Sequence, residues 1–103
     1  MAKSPIFTLV VDDYAPFRRF VISALGQRSD LQVVGEAADG LEAVQKAAEL
    51  QPGLVVLDIG LPRLNGLEVA ARIRERSPQS KILFVSQESS VEIVHSALAT
   101  GAH

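Results

Sequence analysis

The hydrophobic positions of this chain fall into two alternating kinds of pattern. Short runs of β-branched and aliphatic residues occur at Ile6–Val11, Leu31–Glu36, Leu54–Leu57 and Lys81–Val85. Runs of this length, apolar nearly throughout, read as strands buried on both faces of a parallel sheet. Between them the apolar residues recur at helical spacing. Phe17, Phe20, Val21, Ala24 and Leu25 form one stripe within a helix predicted from Pro16 to Gln27. Leu41, Ala43, Val44, Ala47, Ala48 and Leu50 form a second, after Asp39-Gly40. Leu67, Val69, Ala70 and Ile73 form a third, with Arg72, Arg74, Glu75 and Arg76 on the solvated side.

Local signals punctuate these elements. Asp13 is placed to cap the first helix, and Pro16 suits its first turn. Gly26 and the polar stretch 27–30 end it, and Pro52-Gly53 breaks the chain before the third strand. Asn65 with Glu68 three residues on resembles a capping box for the third helix, which Ser77-Pro78 stops. A fourth helix is predicted from about Ser90 to Thr100, ending at Gly101. Four βα units in succession, with short connections, predict an α/β fold: a doubly wound parallel sheet with right-handed crossovers and helices on both faces.

Three of the strands end on chemistry. The first runs into Asp12-Asp13, the third into Asp58, the fourth into Ser86. In an open α/β sheet, ligands bind outside the carboxyl ends of the strands. Three carboxylates brought together there repel one another, and a hard divalent cation with oxygen ligands relieves the repulsion. Asp12 and Asp13 can equally serve as helix caps, and Ser86 can be a plain strand-end hydroxyl.

Composition narrows the picture. With 103 residues the chain makes one domain, and 48% hydrophobic with 21% charged residues is an ordinary globular balance. A formal net charge of -2 gives no bulk electrostatic case for nucleic-acid binding. Absence of cysteine excludes disulfides and thiolate chemistry. The start lacks the apolar core of a signal peptide, and no run approaches a membrane span, so a cytoplasmic protein is expected. No G-x-G-x-x-G follows the first strand and no P-loop is present. His95 and His103 read as solvated, as does the Arg72-Arg74-Arg76 face.

Asp12-Asp13, Asp58, Leu61-Pro62 with Gly66, and Ser86, taken jointly, resemble the receiver domain of two-component response regulators. The tail Ala97–His103 is similar to the NarL/FixJ type. The resemblance runs from about Ile6 to the last residue, so residues 1–103 are expected to form one receiver domain of flavodoxin-like fold, strand order 2-1-3-4. It implies that Asp58 is the phosphoacceptor and that Mg²⁺ is bound by Asp13, Asp58 and the Gly60 carbonyl, with Asp12 acting through water. Ser86 would be the switch hydroxyl. It implies a sensor histidine kinase as phosphodonor and a switch rather than a conventional enzyme, with at most self-phosphorylation and self-dephosphorylation. DNA would be reached only through an output domain absent here, and no membrane partner is implied.

Two departures accompany the resemblance. The family's fifth βα unit, with a lysine that pairs with phosphoryl oxygens, is absent from this chain, and Gln87 follows the switch hydroxyl where a small residue is usual. With the fifth strand absent, Lys81–Val85 is expected to form an exposed edge and the chain to self-associate. Two other readings stay open: a phosphorylation-independent interaction module on the same fold, and a metal-dependent phosphohydrolase. The latter typically has a D-x-D arrangement after its first strand, which the adjacent Asp12-Asp13 pair does not match.

Overall fold

The computed structural model describes residues 4–58, 61 and 66–85. Their order is β1 (Ile6–Val11), α1 (Ala15–Leu25), β2 (Leu31–Ala37), α2 (Gly40–Leu50), β3 (Leu54–Asp58), α3 (Gly66–Arg76) and β4 (Lys81–Val85). The four strands make one sheet in the order β2-β1-β3-β4, every pairing parallel. This is the predicted α/β doubly wound arrangement. The fourth helix and the Asn65 cap lie outside the described residues.

The period-two alternation of the strands divides their side chains between two cores. Leu9 and Val11 of β1, Val55 and Leu57 of β3 and Ile82 of β4 pack with Ala43 and Ala47 of α2 and Val69, Ala70 and Ile73 of α3. Val10, Leu54, Val56, Leu83 and Val85 point the other way, onto Val21 and Leu25 of α1. Helices therefore cover both faces, which is why the strand sequences are apolar almost throughout. Leu61 belongs to the first of these cores.

The β1–β2 ladder contains one irregularity. Thr8 pairs with Val33 and Leu9 with Gly35, so Val34 is passed over. Gly35 lies under the Leu50 side chain of α2: a Cβ there would lie 3.0 Å from Leu50 Cδ1 and 3.5 Å from Leu9 Cδ1. A side chain at this point would press on the end of the Leu50 side chain, which would have to give by a few tenths of an ångström.

The helix ends partly follow and partly depart from the sequence signals. Asp39 caps α2, accepting the Glu42 N–H at 2.8 Å, while Glu42 reaches back to the Ala38 N–H at 2.7 Å. The helix closes at Gln51 in the left-handed region (φ 46, ψ 56). The Gln51 amide Nε2 donates to Ala48 O and Arg76 O, tying the ends of α2 and α3 together. At α1 the expected Asp13 cap is not formed. Tyr14 occupies the cap position and no side chain caps the helix. The N–H of Tyr14 donates to Asp12 Oδ1, and Asp13 is exposed. Four members of the apolar stripes are also exposed: Phe20, Leu41, Leu50 and Leu67. Each helix touches the sheet along a stripe narrower than its apolar set, and these residues flank the contact.

Candidate functional site

The C-terminal edge of the sheet carries the acidic residues. Val11 pairs with Ala37 on one side and Leu57 on the other, so the residues following β1 emerge beside the end of β3. The Asp12 N–H extends the ladder by one bond, to Ala37 O at 3.1 Å. Asp58 is the last residue of β3, paired with Val85 of β4. One carboxylate oxygen from each of Asp12, Asp13 and Asp58 lies within 4.8 Å of the others. Three residues far apart in sequence thus meet because β1 and β3 are adjacent strands ending at the same level.

Their environments differ. Asp12 is 1% exposed and Asp58 3% exposed, whereas Asp13 is open to solvent. Asp12 Oδ1 accepts the Tyr14 N–H at 2.8 Å. Its other oxygen, Oδ2, is buried without a hydrogen-bond partner among the described residues. The Asp12 carboxyl is raised to about 6, first by burial and then by the negative charges of Asp58 and Asp13. The Tyr14 N–H and the Arg18 guanidinium act in the opposite direction.

A buried carboxylate oxygen with no donor, beside two more carboxylates, is a costly arrangement for a bare protein. A divalent cation fits it on chemical grounds. All donors are oxygen, the charge is concentrated, and the exposed Asp13 side leaves room for metal-bound water. Asp12, Asp13 and Asp58 are therefore the residues that could hold a metal. A groove of about 510 Å³ between α2 and α3, lined in part by Leu41, Val44 and Arg72, holds none of them.

Of the residues singled out from the sequence, Asp12, Asp13 and Asp58 are brought together. Gly60 and Ser86 lie outside the described residues, as do His95 and His103. Arg18 is part of the same neighbourhood and was not among the sequence candidates. Its Nη1 donates to the Asp12 carbonyl at 2.8 Å, and its Nε to Glu36 Oε1 at 2.6 Å. No hydrophobic period marks it. Its one signal is position, a helical turn into α1 behind the acidic pair. Among the described residues no helix is long and apolar enough to cross a membrane.

Comparison with known proteins agrees with this geometry. The chain is 42% identical over 94 residues to the chemotaxis protein CheY of Listeria monocytogenes, covering 91% of this chain and 78% of that one. It is 35% identical over 100 residues to the nitrate/nitrite response regulator protein NarL of Escherichia coli, covering 97% of this chain and 46% of that one. The chain thus spans less than half the length of the NarL relative. The crystal structure of the response regulator domain of Thermotoga maritima CheB superimposes with a TM-score of 0.75 at 40% identity, covering 96% of this chain and 75% of that one. The model of the response regulator receiver domain matches residues 8–103. With four parallel strands in the order 2-1-3-4 and an acidic cluster at their carboxyl ends, the chain belongs to the response regulator receiver domain family.

Proposed function

We propose that this receiver domain accepts a phosphoryl group on Asp58 from a phosphohistidine of a sensor histidine kinase. The observation that carries the reading is the convergence of the Asp12, Asp13 and Asp58 carboxylates on the end of β3. A carboxylate oxygen of Asp58 attacks phosphorus as the bond from phosphorus to the imidazole nitrogen breaks, and the imidazole leaves with the electron pair. Phosphoryl transfer of this kind depends on positioning and on neutralising charge. Asp58 is held by strand pairing on β3, so the nucleophile is mounted on a rigid element.

Asp13 and Asp58, with the Gly60 carbonyl and with Asp12 acting through water, would hold Mg²⁺. The ion would neutralise charge on the phosphoryl oxygens. Asp12 is fixed by the Tyr14 N–H at Oδ1, and its Oδ2 is buried with no hydrogen-bond partner among the described residues. Ser86, directly after β4, would donate a hydrogen bond to a phosphoryl oxygen and carry the charge change into the chain that follows. Relatives named as transcriptional activator and nitrate/nitrite response regulator support a DNA-binding output in a longer protein. A relative named as methylesterase supports a catalytic output instead. The NarL/FixJ-like tail favours the first.

Labelling with acetyl phosphate and Mg²⁺ tests the assignment. Asp58→Asn should abolish incorporation, because an amide is not a nucleophile, and Asp13→Ala should reduce it together with Mg²⁺ affinity. Incorporation that survives in Asp58→Asn refutes the phosphoacceptor assignment. Mg²⁺ affinity unchanged in Asp13→Ala refutes the metal set.

A further inference from the structure

Arg18 is used by none of the roles above, yet it holds the peptide on which two of the three carboxylates are mounted. The Asp12 backbone N–H donates to Ala37 O at 3.1 Å, and its Oδ1 accepts from the Tyr14 N–H at 2.8 Å. Its carbonyl accepts from Arg18 Nη1 at 2.8 Å, which leaves Oδ2 as the one polar atom of Asp12 without a partner among the described residues. Arg18 is the only side chain among the three partners. The carbonyl it grips belongs to the planar unit joining Asp12 to Asp13, so its direction sets the path to the Asp13 Cα. The other arm of the guanidinium is anchored on Glu36 Oε1 at 2.6 Å. The Glu36 carbonyl accepts in turn from Lys46 of α2.

This is not an ordinary surface ion pair. The Arg18 side chain is 13% exposed, against 49% for Glu36. A planar fork engaging two acceptors fixes an angle that a single flexible ammonium does not. The pair therefore ties the acidic turn to the end of β2 and, through Lys46, to α2.

We propose that Arg18 is a positioning residue: it orients the Asp12–Asp13 peptide so that both carboxylates face Asp58 and a divalent cation together. This rests on the metal reading given above. Charge alone predicts the opposite sign. A guanidinium beside the site repels a cation, so its removal would tighten Mg²⁺ binding. Positioning predicts weaker binding, and the sign separates the two.

The test is Mg²⁺ titration by calorimetry of the parent, Arg18→Ala, Arg18→Lys and Glu36→Ala. Exchange of the Tyr14 amide, which reports the placement of Asp12 Oδ1, is followed in chelator. Arg18→Ala should weaken Mg²⁺ binding about 10-fold, as outer partners of metal ligands typically do. It should also speed Tyr14 exchange by more than the change in global stability accounts for. Arg18→Lys, with the charge and one donor kept, should recover part of both. Glu36→Ala leaves the grip on Asp12 and releases its anchor. It should weaken binding in the same direction by less, and it carries the test if Arg18→Ala does not fold. Unchanged or tighter Mg²⁺ binding in a folded variant, or Tyr14 protection that falls only in step with global stability, overturns the proposal. If the parent itself binds no Mg²⁺, the metal reading fails, and the Tyr14 amide in chelator still decides whether Arg18 positions the turn.

Discussion

Replacing Asp12 by asparagine should make the metal-free protein more stable, although it removes a site residue. The Asp12 carboxyl is raised from 3.8 to about 6, first by burial and then by the charges of Asp58 and Asp13. A carboxyl whose folded value lies above its unfolded value opposes folding once both states are ionised. The difference is about 2 pK units, so the cost near neutral pH is about 3 kcal/mol at most. Water at the exposed Asp13 side screens part of it, and the new amide N–H must find an acceptor among the remaining carboxylates. A net gain of about 1–2 kcal/mol is expected, which raises Tm by about 5–15 °C for a domain of this size. The Tyr14 hydrogen bond survives, because an asparagine oxygen can still accept it. Urea unfolding in chelator measures the effect. At about pH 7.5 the variant should be the more stable protein. Below about pH 6 the parent should recover, because Asp12 takes up a proton in the folded state first, and the gap should close toward about pH 4. Mg²⁺ should then stabilise the parent more than the variant, because only the parent keeps the full ligand set. A variant less stable than the parent in chelator at about pH 7.5, or a gap that does not change with pH, would refute the reasoning.

Two further outcomes test the frame around the site. Asp39→Ala removes the α2 cap and leaves Glu42 without its reciprocal partner, and should cost about 1 kcal/mol in chemical denaturation. Gln51→Ala breaks the hydrogen bonds joining the ends of α2 and α3 while keeping a left-handed backbone that alanine disfavours, and should cost about 2 kcal/mol. Gln51→Gly, which fits that backbone, should recover part of the loss.

The sequence alone determined the order of elements, because runs such as Leu54–Leu57 bounded by Pro52-Gly53 and Asp58 have few other ways to be buried. It also pointed to which carboxylates meet, since a parallel sheet brings every strand out at the same edge and Asp12, Asp13 and Asp58 follow or end the adjacent strands β1 and β3. The helix ends were legible where the signal is local, as at Gly26. They were missed at the start of α1, where the helix begins one residue later than an Asp13 cap requires: Tyr14 takes the cap position, with its N–H donated to Asp12 Oδ1. The Asp39–Glu42 cap has the same spacing as the Asn65–Glu68 pair and could have been read in advance. Only the tertiary structure decided which of two adjacent aspartates is buried and which faces water, because that depends on the pleat of β1 against β2 and β3. Only it decided that Phe20, Leu41, Leu50 and Leu67 stay exposed, since a helical stripe gives a direction but not the width of the contact. Arg18 was invisible for the same reason: a charged residue on a helix announces solvent, and what it holds is a carbonyl supplied by the fold.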